Sequence, residues 1–306
     1  MKKIEFTNIF PGLRRVLRIL IPKLLDFSNI KFIQSSVRKL EIQHSINYMN
    51  IFASEFFRKK ISMLRWLIQN SSNDSSLVRL GGVGDGGYLV PKVYLESNWL
   101  CFGLGQNIGF ENDLVEAHGR VSGFDHTLAG RPKELNREVN FVPKGWGLVD
   151  SNEFLTLTSA IIQHRKAFPS EEGKTFNYCL KFDIEGNEWG LIQEIARGDQ
   201  FPDVIICELH NLLSAEPDYW RKIEESLDTL RLHYNSVFSK GNNYSAHFFD
   251  EKTSLYDILE ITLIKKDKLS VLGSVGTEAW SNNRIQDDFE NFTNDNRFPI
   301  YPLFIK

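Results

Sequence analysis

The chain is 306 residues long, with 25% charged and 12% aromatic residues, including 23 Phe, 9 Tyr and 6 Trp. That composition excludes a disordered, collagenous or low-complexity chain and supplies apolar material for a large core. The net charge of −3 argues against a surface built mainly for nucleic acid, and no stretch of roughly 18 apolar residues is present to span a membrane.

The charge is unevenly spread. The first 40 residues carry nine Lys and Arg against only Glu5 and Asp26. Within residues 9–25, Ile9, Leu13, Val16, Leu20 and Leu24 recur at helical spacing, while Arg14, Arg15, Arg18 and Lys23 fall largely off that stripe. Such a helix can rest peripherally on an anionic membrane face, or pack on its own domain or in a homo-oligomer. The arginines inside the hydrophobic stretch make it a poor secretory signal. A helical pattern runs on through Phe52, Phe56, Leu64 and Leu67 and stops at the polar segment NSSNDSS, residues 70–76. Residues 1–75 are therefore expected to form a basic, amphipathic helical extension. Residues 76–269 would form the main domain, and the Asn-rich, aromatic-studded residues 270–306 a tail packed upon it.

The main domain alternates short β-rich runs with helical patterns, which predicts an α/β fold around a mostly parallel sheet. Seven strands are expected near residues 98–103, 120–125, 139–142, 178–183, 203–209, 234–239 and 258–264. Helices are expected over 109–118, 151–166, 187–197 and 217–232. No helical pattern separates the last two strands, so one of them should pair antiparallel. Cys101, Cys179 and Cys207 are odd in number, lack CxxC spacing and sit in strand-like runs. They read as buried thiols of a protein in a reducing, cytoplasmic compartment.

The first of the seven strands runs into CFGLGQNIGFENDL, placing Gly103, Gly105 and Gly109 where an open sheet turns from strand to helix. Glycines there let backbone approach a ligand, beside the free N–H groups of a helix start. Asp125, twenty residues beyond Gly105, ends the next strand, where a carboxylate can accept from the two ribose hydroxyls of a nucleoside. The spacing is G-x-G-x-x-x-G, not the dinucleotide fingerprint. Tyr88 and Lys92, a possible dehydrogenase pair, precede the turn and enclose Pro91. S-adenosylmethionine, which needs a ribose contact but no pyrophosphate seat, fits better.

GLGQNIGF, residues 103–110, resembles the first motif (Asp-x-Gly-Ala-Asn-x-Gly) of the FkbM-type methyltransferases. LKFDIEGNEWGLI, residues 180–192, resembles that family's Lys-x-Asp-x-Glu-Gly-x-Glu signature, and PDVIICELH, residues 202–210, its following strand ending in Glu-x-His. The resemblance covers residues 78–265. It implies a class I Rossmann-like methyltransferase fold with helices on both faces of a seven-stranded sheet, and O-methylation of sugars or secondary metabolites. It also implies that Gly103, Gly105 and Asn107 hold the cofactor. Gly103 departs from the family's acidic residue, and Gln106 from its Ala. Asp85, in the five-glycine loop of residues 81–87, could supply the missing carboxylate, with Tyr88 beside it; the plain alternative is a tight hairpin.

Methyl transfer to a hydroxyl needs an aligned acceptor and a route for its proton. Asp183 ends one strand, with Lys181 and Glu185 on its side by alternation, and Glu208 and His210 end the next. His210 is the expected general base, titrating in its ordinary range near neutrality, with Asp183 orienting it or contacting substrate. Glu185 and Glu208 are expected at the acceptor, and Glu188 in a helix's first turn, where the dipole favours it. Asp183, Glu208 and His210 could alternatively hold Mg²⁺ or Mn²⁺. Asn243 and Tyr244, in KGNNYSAH, would cover the acceptor pocket unless they merely form a turn. His44, His118 and His164 have no metal spacing and read as surface or packing residues. The expected activity is O-methyl transfer to a glycan or glycolipid at the inner membrane face. A diffusible metabolite acceptor and a non-catalytic methyltransferase-like scaffold are the alternatives.

Overall fold

The computed structural model describes residues 63–64, 66–67, 76–82, 86–169, 176–214, 216–242, 245, 247–249 and 254–272. The amphipathic segment 9–25, Asp85, Asn243, Tyr244 and the tail from residue 273 lie outside them. All described residues belong to the second of the chain's two units, Ser54–Lys306.

A hairpin opens the described domain: β1 (Leu77–Leu80) and β2 (Tyr88–Pro91) pair antiparallel, with Leu80 opposite Tyr88. The main sheet is built from β3 (Asn98–Phe102), β4 (Arg120–Phe124), β5 (Asn140–Val142), β8 (Cys179–Phe182), β9 (Val204–Leu209), β10 (Tyr234–Gly241) and β13 (Leu259–Lys265). Its order is β10-β13-β9-β8-β3-β4-β5. β5, β4, β3, β8 and β9 run parallel, and β13 is antiparallel to both neighbours. The expected seven strands and the one reversal are thus present. The reversal follows from the connection, because among the described residues only the short hairpin β11 (His247–Phe249) with β12 (Ser254–Tyr256) separates β10 from β13. A parallel return would need a crossover.

Four helices connect the strands: α1 (Gly109–Glu116), α2 (Leu157–Ala167), α3 (Glu188–Arg197) and α4 (Pro217–His233). α2 starts later than the expected residue 151. Phe154–Leu155 (β7) instead pairs with Gly145–Trp146 (β6), and the Thr156 hydroxyl caps the helix by accepting the Ser159 N–H at 3.2 Å.

Alternation along the strands buries both faces. Trp99, Cys101, Val121, Cys179, Val204 and Ile206 form one cluster with Phe110 and Leu114 of α1. The intervening Leu100, Phe102, Leu180, Phe182 and Ile205 are equally buried, as are Trp189, Leu191, Ile192 and Ile195 of α3. Each large side chain so removed from water contributes about 1.5–3 kcal/mol. The three cysteines are buried free thiols, as expected. Leu64 and Leu67, placed by their sequence in the extension, are fully buried, and the Leu67 carbonyl accepts the Ser236 hydroxyl. The main domain therefore recruits chain from before residue 76. No described helix is long and apolar enough to cross a membrane.

Candidate functional site

The sheet order reverses beside β3: the chain continues to β4 and β5 on one side and returns through β8 and β9 on the other. Ligands of open α/β sheets bind at the carboxyl ends of strands flanking such a point. The two turns there are in contact. Gly103 has φ +73°, and a Cβ on it would fall 1.7 Å from the Asp183 carbonyl oxygen. No side chain fits at 103 without displacing that backbone, which gives the glycine there a steric cause. Lys181, almost fully buried, donates from Nζ to the Gly103 carbonyl at 2.8 Å and lies 5.2 Å from the Tyr88 ring centroid.

Gly105 differs from Gly103. Its φ is +57°, and a Cβ there would meet nothing within 4 Å. Gly105, Gln106 and Asn107 are exposed, with Asn107 packed beside Gly86 of the hairpin loop. The Gly105 N–H donates to Asp125 Oδ2 at 2.8 Å, and Asp125 Oδ1 accepts the Thr127 N–H at 2.7 Å and its hydroxyl at 2.6 Å. Burial works to raise the Asp125 pKa, but these bonds together hold it below the ordinary value. Asp125 therefore pins the glycine turn. The Leu104 N–H acts on the same carboxylate, so most of its roughly four acceptor sites face the chain's own turn.

The hairpin stands over this turn. The Gly81 N–H donates to Asp113 Oδ2 of α1 at 2.7 Å, and the Tyr88 ring meets Phe110 edge-on at 5.5 Å. The Tyr88 hydroxyl donates to Asp183 Oδ2 at 3.2 Å. β1 and β2 thus flank the glycine loop as a hairpin, residues 83–85 lying outside those described, and Tyr88 links it to the end of β8.

At the ends of β8 and β9 a carboxylate cluster surrounds His210. Its Nδ1 bonds Glu188 Oε1 at 3.0 Å, while Nε2 lies 3.6 Å from Glu208 Oε2 and 3.8 Å from Glu185 Oε2. Its carbonyl accepts the Trp189 indole N–H at 3.0 Å. Glu188 Oε1 also accepts the N–H groups of Ile184 at 3.1 Å and Gly186 at 3.0 Å, so one buried oxygen ties the β8–α3 turn to the imidazole. Two expectations change here. Glu188, not Asp183, orients His210, because α3 begins at 188 and its first side chain folds back over the turn. The group with metal-ligand geometry is Asp183, Glu188 and His210, with Glu188 in the place expected of Glu208.

Burial would lower the His210 pKa, but the Glu188 bond and the charges of Glu188, Asp183 and Glu208 outweigh it and raise it to about 9. The imidazole is held protonated at neutral pH, contrary to the expected titration near neutrality. Burial, then the charges of Asp183 and Glu260, push Glu208 up to about 8, although Asn242 donates to its Oε1 at 3.0 Å. Glu185 takes φ +55° and turns a largely exposed side chain to the rim.

Glu188 and Asn242 were missed as site residues. The back-bonding carboxylate of a helix start was the available signal for Glu188. Asn242 had none beyond its place next to Asn243. His164 is a packing residue as read, fully buried and bonded through Nδ1 to Ser122 Oγ at 2.9 Å and through Nε2 to Asn98 Oδ1 at 3.3 Å.

No protein-family model matches this chain, and no curated protein matches it.

Proposed function

We propose that the protein is an S-adenosylmethionine-dependent methyltransferase acting on a hydroxyl oxygen, with a glycan or glycolipid as acceptor. The observation that carries this reading is the contact between the Gly103 and Asp183 turns at the sheet's reversal point. It sets an exposed glycine turn and a cluster of proton-accepting groups side by side on one edge. The residues fit the cofactor: the open side of Gly105 offers bare backbone, Asp125 is an ionised carboxylate at the same turn, and Asp183 Oδ1 is a buried oxygen with no partner.

When bound, S-adenosylmethionine supplies an electrophilic methyl group and leaves as the thioether. The chain's residues do the rest. Gly105 and Asp125 seat the nucleoside. Asp183 Oδ1 receives the acceptor hydroxyl and orients its oxygen. Once deprotonated, the form populated as pH rises toward about 9, His210 keeps its Nδ1–H on Glu188 and can take the hydroxyl proton at Nε2. Tyr88 holds the other oxygen of Asp183, and Glu185 at the rim faces an entering polar acceptor.

Calorimetric titration with S-adenosylmethionine and its demethylated product, on the wild type and Asp125→Asn, tests the reading. Binding by the wild type that weakens in the variant is expected, followed by methyl transfer to glycan acceptors. Absence of binding by folded wild-type protein would overturn it.

A further inference from the structure

The carboxylate cluster has unused capacity. Glu188 is fully buried, and while its Oε1 accepts three donors, its Oε2 has no hydrogen-bond partner; neither does Asp183 Oδ1. A buried carboxylate oxygen without a partner forfeits its hydration and gains nothing in exchange. Two such oxygens within one cluster leave room for a ligand, and the ligand that satisfies two carboxylates best is a cation.

One ligand-capable atom each from Asp183, Glu188 and His210 lie within 4.8 Å of one another. Oxygen ligands sit about 2.0–2.6 Å from Mg²⁺ or Ca²⁺, so atoms sharing one such ion lie within about 5 Å of each other. The supports are rigid: Glu188 is anchored by two backbone amides, Asp183 by the Tyr88 hydroxyl, and the His210 backbone by the Trp189 indole. Asp183 is partly exposed whereas Glu188 is sealed, so the site opens on one side only.

We propose that Asp183, Glu188 and His210 form a divalent-cation site with Mg²⁺- or Mn²⁺-type selectivity. The two carboxylates with no thiolate favour such hard ions, the single imidazole suits Mn²⁺ better than Mg²⁺, and three protein ligands leave coordination positions for water or an acceptor oxygen. A bound cation would displace the His210 proton, making His210 a ligand rather than a base, and would acidify a hydroxyl bound to it. That catalytic meaning rests on the methyl-transfer reading; the binding site does not.

The test is Mn²⁺ titration of the full-length protein, followed by the loss of the free-ion electron paramagnetic resonance signal, beside Asp183→Asn and Glu188→Gln. One bound Mn²⁺ per chain is expected, with affinity lowered at least about tenfold in each variant. Glu188→Gln also disturbs the β8–α3 turn, so Asp183→Asn, with its circular dichroism spectrum matched to the wild type, carries the comparison. Absence of stoichiometric Mn²⁺ binding, or binding unchanged in a folded Asp183→Asn, overturns the site. A parallel S-adenosylmethionine titration without metal separates the two ideas. Mn²⁺ binding without cofactor binding keeps the cation site and removes the methyl-transfer reading; the reverse result does the opposite.

Discussion

Gly103 and Asp183, 80 positions apart in sequence, meet so closely that a methyl group on the first would overlap the carbonyl oxygen of the second, 1.7 Å away. This contact joins the glycine turn after β3 to the carboxylate-bearing turn after β8. It also determines which residue position 103 accepts, since the obstacle is backbone and cannot rotate aside.

Gly103→Ala should therefore lose about 2–4 kcal/mol, from overpacking and from a positive φ that side chains disfavour. Gly103→Asp, which adds a larger, charged side chain at the same point, should lose at least as much. Urea unfolding measures both, and an alanine variant within about 0.5 kcal/mol of the wild type would contradict the geometry.

Lys181 and Glu111 are coupled under the same turn. Glu111 is fully buried; burial pushes its pKa up, opposed first by the Lys181 charge and then by its own backbone N–H and the Cys101 thiol. Lys181→Met removes the charge and the bond to the Gly103 carbonyl, and should cost about 3–5 kcal/mol. Adding Glu111→Gln should recover part of that loss. A double-mutant cycle measures the coupling, and strict additivity would show that the two residues act independently.

His164 makes stability depend on pH. Its ring is sealed between Ser122, Asn98, Phe168 and Phe176, and burial, then the Arg120 charge, lower its pKa from 6.5 to about 4. The unfolded chain takes up a proton first as pH falls. The contribution is thus fully present above pH 6.5 and is lost progressively as pH drops through about 4. The total loss is about 3 kcal/mol. Denaturant unfolding from pH 7 to 4 should show this slope in the wild type and a flatter one in His164→Asn.

Glu185 holds φ +55° with an exposed side chain. Glu185→Gly should raise stability by about 1 kcal/mol by relieving the left-handed backbone strain. Thermal unfolding checks it; a lower midpoint would mean that the carboxylate's approach to His210 outweighs the strain.

The strands were legible from sequence because period-two and continuous apolar runs bounded by polar turns survive in a single chain. Val204–Leu209, buried throughout, and the helix from Pro217 are examples. The reversal of β13 was legible too, since no helical pattern in the sequence separates the last two strands. The start of α2 was not. Thr156 and Asp150 both precede its apolar run, and only the pairing of Phe154–Leu155 with Gly145–Trp146 selects Thr156 as the cap.

By itself, then, the sequence determined which residues form the sheet and which chemistry-bearing residues end its strands: Gly103 and Gly105 after β3, Asp125 after β4, Asp183 after β8, Glu208 and His210 at the end of β9. Those assignments depend on local periodicity and turn chemistry. The tertiary structure alone decided the partners: Glu188 for His210, Tyr88 for Asp183, Lys181 for the Gly103 carbonyl, and the glycine turn for Asp125. The physical reason is range. A hydrogen bond or a carboxylate's burial depends on ångström-scale distances between segments tens of residues apart, which no pattern within one segment encodes.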